Sequence, residues 1–313
     1  MASMALISRC GIMLEPQFGM TVQQLVKTAV EAETLGFGYV FRSDHLLPTD
    51  DSRGTDSPEC WTSLGAIAAS TKSIKFGPMV TPLGFRNPAL LARMACTLHS
   101  YSGGRLQLAV GAGWYESEYK AHGYDFPAFD VRLKQFEEGL TILLSMVREG
   151  RVDFQGKYFS AHTDCLPRPS GRMHIIVGTK AKGLVRFAAR FVDEWNFFAC
   201  PIEVYRERRK LLDETAGERK VIVSQMGPFM IGESRKQLIE NAKMQLGKFR
   251  RQEGAEAFLN RISKAGVPCG TPAEFAQQVG KLLDEGVERF YFQTLVPENS
   301  GMTDLLAQTL KGL

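Results

Sequence analysis

Short apolar runs and longer helical stretches alternate about eight times along this chain, a rhythm that few architectures accommodate. Residues 6–14 read as a first strand, and Thr21-Val22-Gln23-Gln24 then opens a helix. The Thr21 hydroxyl can accept a first-turn backbone N–H, and Gln24 can reach back to the Thr21 N–H. Val22, Leu25, Val26, Ala29 and Leu35 follow at helical spacing, and Gly36 supplies a left-handed stop before a strand over 37–42. The unit recurs. Ser57-Pro58 is expected to open a helix over 61–70, with a strand over 74–80 behind it. Asn87-Pro88 opens the next helix, Gly103-Gly104 closes it, and 106–110 is strand-like. A long amphipathic helix covers 130–149, and further strands are expected at 174–178, 194–199, 221–226 and 289–295. Thr271-Pro272-Ala273-Glu274 joins a cap, a proline and a capping-box acid, starting a helix to about 286.

Strand then helix, repeated in this way, predicts an α/β fold: a closed parallel (β/α)8 TIM barrel. The rival is an open doubly wound sheet, but the chain shows no division into two halves. A single domain over 1–313 is expected, with two excursions: a hairpin over 150–173 and a helical insertion over 234–268.

Several function classes fall away. No apolar run approaches the roughly 20 residues that span a bilayer. The first ten residues lack an apolar core behind a basic start, so no signal peptide is expected. Six cysteines at 10, 60, 96, 165, 200 and 269 include no Cys-x-x-Cys pair, which suggests reduced thiols in a cytoplasmic protein. The net charge of +4 comes without a basic stripe, so nucleic acid is not an expected partner. His99, His122, His162 and His174 lack metal-ligand spacing, and no metal is expected. There is no Gly-x-Ser-x-Gly elbow.

In barrels of this kind the chemistry gathers at the C-terminal strand ends. The 37–42 strand runs into Arg42-Ser43-Asp44-His45. Asp44 can hold a polar ligand group and His45 can donate a proton; both can equally serve the loop itself. Gly77-Pro78-Met79-Val80-Thr81-Pro82 brackets an apolar pair with prolines, consistent with a bulge that re-aims the backbone or with a plain strand exit. Gly111-Ala112-Gly113-Trp114 lets a ligand approach the backbone beside a flat ring. Gly178-Thr179-Lys180-Ala181-Lys182-Gly183 precedes a helix, and its N–H groups and lysines suit a phosphate. Glu116, Glu118, Glu137 and Glu138 read as helix-surface charges.

In order, Ser43-Asp44-His45, the 77–82 segment with Phe85-Arg86-Asn87-Pro88, Ser102–Arg105, the 111–114 segment with Glu118, and Ala188–Asn196 resemble the luciferase-like monooxygenase superfamily. More narrowly they resemble its branch that uses the deazaflavin coenzyme F420. The resemblance spans about residues 7–200, with a weaker match over 271–295. It implies a TIM barrel with an isoalloxazine-like ring in its mouth and a cis peptide at Met79-Val80 supporting one face of the ring. The cofactor-binding positions it implies are Ser43, Asp44, Met79, Val80, Thr81, Ala112, Gly113, Trp114, Gly178, Thr179, Lys180 and Ala181. His45, with Asp44, takes the catalytic position. The phosphate site falls after the sixth strand at most, earlier than is common in barrels. Trp114 stands where the related sugar-phosphate dehydrogenases carry an acid, and no lysine lies near Phe198–Pro201, so glucose 6-phosphate is a poor match.

The resemblance thus implies an F420-dependent oxidoreductase that transfers a hydride to or from an unidentified small organic substrate. An FMN-dependent monooxygenase is the alternative, and a non-catalytic flavin-binding protein a third. A homodimer is expected by the same resemblance.

Overall fold

The computed structural model describes residues 5–49, 56–295 and 300–313. Strands β1 (Cys10–Leu14), β2 (Tyr39–Arg42), β3 (Lys75–Pro78), β4 (Thr81–Pro82) and β5 (Gln107–Gly111) build the first part of a parallel barrel. An antiparallel hairpin of β6 (Arg151–Gln155) and β7 (Ser160–Asp164) interrupts it, as the 150–173 reading required. The barrel resumes with β8 (His174–Gly178), β9 (Glu194–Phe198) and β10 (Ile222–Pro228). A short parallel pair, β11 (Met230–Ile231) and β12 (Cys269–Gly270), brackets helices Arg235–Lys248 and Ala255–Lys264. Finally β13 (Arg289–Thr294) pairs with β1 and β10.

The strand order is β3-β2-β1-β13-β10-β9-β8-β5-β4. Its two ends, β3 and β4, are halves of one strand broken at Met79-Val80, whose peptide bond is cis. A bridge from Phe76 to Leu106 joins β3 to β5, so the ring closes. Counting β3 and β4 together leaves eight staves, the closed parallel barrel that the repeating unit predicted.

Local chemistry sets the frame. The Thr21–Gln24 box is formed in both directions, and Gly36 ends its helix at φ 95°. Thr271 and Glu274 form the second box. Asn87 Oδ1 accepts the N–H groups of Ala89 and Leu90 ahead of helix Pro88–Tyr101. The expected helix start at Ser57-Pro58 is corrected. Helix Cys60–Ser70 begins two residues later, capped by Glu59, whose carboxylate accepts from the Thr62 N–H. The Pro58 carbonyl instead receives Arg42 Nη1 at 2.8 Å. Residues 6–9 form a 3-10 turn, so the first strand is shorter than expected.

Strand alternation divides the core in two. Met13, Tyr39, Phe41, Met79, Ala109, Ile176 and Tyr291 fill the barrel interior. Residues of the opposite parity pack outward against the helices. The floor, at the N-terminal strand ends, is polar. Glu194 is fully buried there and takes Arg289 Nη1 at 2.5 Å and the Tyr291 hydroxyl at 2.7 Å, with His174 Nε2 2.9 Å away. Burial pushes its carboxyl up, but His174 and Arg289 outweigh that and hold it below the usual carboxylate range. This cluster lies at the end of the barrel opposite the chemistry and acts as a packed polar plug. Among the described residues, no helix is long and apolar enough to cross a membrane.

Candidate active site

The C-terminal strand ends and the two helices after β11 enclose a cavity of about 920 Å³, at the upper end of the roughly 300–1,000 Å³ typical of ligand sites. After β2, Ser43, Asp44 and His45 line it; at the broken strand, Met79 and Val80 do so. Ala112, Gly113 and Trp114 follow β5, while Gly178, Thr179, Lys180 and Ala181 follow β8. These segments, distant in sequence, therefore share one space. Thr81 is the exception. It is fully buried, accepts from Trp61 Nε1 at 3.2 Å and donates to Asp44 Oδ2 at 2.8 Å, so it supports Asp44 from behind instead of lining the cavity.

The polar run after β2 is parcelled out. Arg42 is buried and tied to the Ser43 and Pro58 carbonyls and to Ser63 Oγ. Ser43 Oγ donates to Gln17 Oε1 at 2.7 Å. Asp44 receives both terminal nitrogens of Arg86, Nη1 at 2.6 Å and Nη2 at 3.1 Å, a bidentate geometry that fixes both partners. Burial pushes the Asp44 carboxyl up from its ordinary value, and Arg86 with Thr81 pulls against that rise. Burial alone would lower Arg86, but Asp44 and Glu59 lift it above its usual range.

His45 Nδ1 lies 3.0 and 3.1 Å from the two carboxylate oxygens of Glu118, of which Oε2 also accepts the Leu46 N–H at 3.0 Å. Glu118 is 1% exposed, which corrects its reading as a surface charge. Helix Glu116–Ala121 turns Glu118 inward while Glu116 pairs with Lys120 on the outside at 2.6 Å. Trp114 stands edge-on to the His45 ring at 5.6 Å. Burial disfavours charge on His45, yet the Glu118 hydrogen bond and the nearby Glu118, Glu15 and Asp44 carboxylates raise its pKa above the ordinary imidazole value. Nε2 has no protein partner among the described residues, so the ring is held by one nitrogen with the other free to donate or accept a proton. Glu15 also borders the cavity, accepting from Gln17 Nε2 at 2.5 Å and from Gln293 Nε2. Glu15, Gln17 and Gln293 escaped the sequence reading, although Glu15 directly follows a strand and that position could have found it.

Val80 is wedged between two strand ends. A Cβ placed on Gly111 would stand 2.6 Å from Val80 Cγ2, and one on Gly178 would stand 2.6 Å from Val80 Cγ1. Both contacts are too short for real atoms, so only glycine fits at either position while Val80 stays put. We expect Gly178→Ala to cost about 1–3 kcal/mol through overpacking, read from a urea midpoint; parent-like stability would refute the wedge.

Past β8, the fifth stave, helix Lys182–Phe191 has no side-chain cap. The Thr179 N–H goes to the Asn196 carbonyl and the Ala181 N–H to Thr179 Oγ1, both at 2.9 Å. The first-turn N–H groups of the helix lack helical acceptors and give this end a partial positive charge. Lys180 lines the cavity, its Nζ 5.6 Å from the centre of the Phe198 ring. Lys182 is drawn away to Glu207 at 2.7 Å. Overhead, Phe249 meets Phe18 edge-on at 5.1 Å, and Leu246, Phe258 and Ile262 continue an apolar roof carrying Arg251 and Arg261.

The family model for luciferase-like monooxygenases matches residues 4–295. An F420-dependent glucose-6-phosphate dehydrogenase of Intrasporangium calvum is 33% identical over 181 residues, 56% of this chain and 53% of the relative. The chain therefore matches about half the length of such curated relatives. An F420-dependent secondary alcohol dehydrogenase in complex with an F420–acetone adduct superposes with a TM-score of 0.81 at 18% identity, covering 96% of this chain and 97% of that one. The oxygenating constituent of a Pseudomonas putida 3,6-diketocamphane monooxygenase, in complex with FMN, gives 0.75 at 19% identity, covering 98% and 96%. At such identities these two likenesses speak for the fold alone.

Proposed function

This chain belongs to the luciferase-like monooxygenase family, and from that premise we propose that it is an F420-dependent oxidoreductase acting on a small organic molecule. The observation that carries the reading is the convergence of the free Nε2 edge of His45, the Val80 platform and an uncapped helix start in one cavity. The residues present fit a flat ring with a phosphate tail. Gly111 and Gly178 let Val80 sit low in the mouth, Gly113 lines the same cavity, and the helix start with Lys180 offers donors to a phosphate. When bound, the deazaflavin would supply the carbon that gives or takes a hydride.

The chain's own groups do the rest. Ser43, Asp44, Met79, Val80, Ala112, Gly113 and Trp114 would hold the ring, and Gly178, Thr179, Lys180 and Ala181 the phosphate. Thr81 acts through Asp44. Asp44, clamped by Arg86, is a positioning residue. His45 would exchange a proton with the substrate at Nε2, its ring fixed by Glu118. Glucose 6-phosphate is not our choice of substrate, because Trp114 projects beside His45.

An FMN-dependent monooxygenase is the second reading, favoured by the apolar side chains of Leu246, Phe249, Phe258 and Ile262 over the cavity. Titrating the purified protein with F420 and with FMN, then recording oxygen uptake with the reduced cofactor, separates the two. Tight F420 binding without oxygen uptake is expected. FMN preference with oxygen consumption would replace the first reading by the second.

A further inference from the structure

The turn after β8, which would receive the cofactor's phosphate, is held from behind by side chains that do not line the cavity. The Thr179 carbonyl accepts from Trp195 Nε1 at 2.9 Å. The Lys180 carbonyl accepts from Arg208 Nε at 2.8 Å. Trp195 is fully buried in the outer layer of the core, its ring parallel to that of Tyr205 at 6.2 Å. Tyr205 and Arg208 lie three residues apart on helix Ile202–Ala216, so one helix backs both contacts. Arg208 Nη1 lies 2.6 Å from Glu207 Oε2, out of line for a hydrogen bond. Glu207 Oε1 also takes Lys182 at 2.7 Å, so this one carboxylate offsets the charge of both cations.

Both peptides of the turn are trans, and in a trans peptide the C=O and N–H point in opposite directions. Tying back the two carbonyls therefore turns the N–H groups of Lys180 and Ala181 the other way. The Ala181 N–H closes on Thr179 Oγ1, which locks the turn. The N–H groups of Lys180, Lys182 and Gly183 have no acceptor among the described residues. Successive N–H groups with the intervening carbonyls drawn away form a nest suited to an anion. A carbonyl swung into the same space would repel one. We propose that Arg208 is a positioning residue of the phosphate site: by holding the Lys180 carbonyl it keeps the turn presenting N–H groups, not oxygen, to the cofactor's phosphate. The inference rests on the cofactor reading above and adds a residue outside the cavity to it.

Binding, not turnover, tests it. F420 and its ribityl deazaflavin fragment without the phosphate tail are titrated by calorimetry into the parent, Arg208→Met and Arg208→Lys. Arg208→Met should bind F420 about tenfold more weakly, the worth of one hydrogen bond to a charged group, and should bind the phosphate-free fragment as the parent does. Arg208→Lys, which keeps a donor of similar reach, should recover most of the loss. The loss should persist in about 1 M salt, where charges are screened beyond about 3 Å. An equal loss with both ligands would make Arg208 a merely structural residue, no loss with either would leave it without a role, and a loss that vanishes in salt would make it a distant charge; each overturns the proposal. FMN and riboflavin form a second pair differing by a phosphate. A parent that binds FMN instead of F420 would overturn the cofactor reading alone, and the same comparison of variants on that pair would then decide the role of Arg208. A parent that gains no affinity from the phosphate in either pair would overturn the proposal itself.

Discussion

Replacing His45 with alanine is expected to lower turnover by about 10²–10⁴-fold, the usual worth of a positioned acid–base group, while F420 affinity changes little. The reasoning starts from one short contact set. Glu118 binds Nδ1 and the Leu46 N–H, so the ring has one orientation and only Nε2 is left for substrate. The pH dependence follows from sign. His45 has a raised pKa in the folded protein because its carboxylate neighbours, Glu118 foremost, outweigh the burial that opposes its charge. A rate that needs the protonated ring is therefore full at low pH and falls as pH rises through the folded value. Glu118→Gln removes the main source of the rise, so the fall should move to lower pH. The contribution of the pair to stability has the same sense: complete below about pH 6.5, the unfolded value, and lost as pH climbs through the folded one. Turnover in His45→Ala equal to the parent, or a pH–rate profile unmoved by Glu118→Gln, would remove the pair from the mechanism.

The second large effect concerns stability. Arg86→Met should destabilise the fold by about 3–5 kcal/mol, because it strands the Asp44 carboxylate in the interior. Thr81 alone would remain as its side-chain donor. With the guanidinium gone, burial raises the Asp44 pKa against only the Thr81 hydrogen bond and the Arg42 charge, so protonation relieves the strain. The deficit should shrink as pH is lowered towards about 4, the unfolded carboxyl value. The double variant Asp44→Asn/Arg86→Met should recover part of the loss. Urea denaturation at two pH values measures all three. A single variant within about 0.5 kcal/mol of the parent, the scatter of ordinary surface changes, would show that the pair carries no such weight.

The barrel was legible because its signals are local. Thr21 with Gln24, Asn87 with Pro88, and Thr271 with Glu274 each mark a helix start within four residues, and the apolar strands between them leave few ways to close a parallel sheet. Most of the cavity wall was legible for a related reason: strand ends in a barrel converge, so Ser43–His45, 111–114 and 178–181 had to meet. What failed was long-range. Glu118 sits two residues from Glu116 on one short helix, and nothing in that spacing says which faces inward. The partner that decides it, His45, is 73 positions away. Arg86 and Asp44 are 42 apart, and nothing local in the sequence says that the Thr81 hydroxyl meets Asp44 and Trp61. Ser57-Pro58 misled because proline tolerates a first helical turn without requiring one, whereas Glu59 can satisfy the Thr62 N–H.

The ceiling over the mouth comes from one uninterrupted stretch of chain, the helices between β11 and β12, whereas the staves below and the segments that directly follow them supply the groups proposed to handle the proton and the phosphate. Inheritance can therefore act on the two separately. Changes confined to roughly forty consecutive codons can exchange what is admitted without disturbing the machinery beneath, so paralogues with an unaltered floor and divergent lids would be a natural source of new substrate ranges.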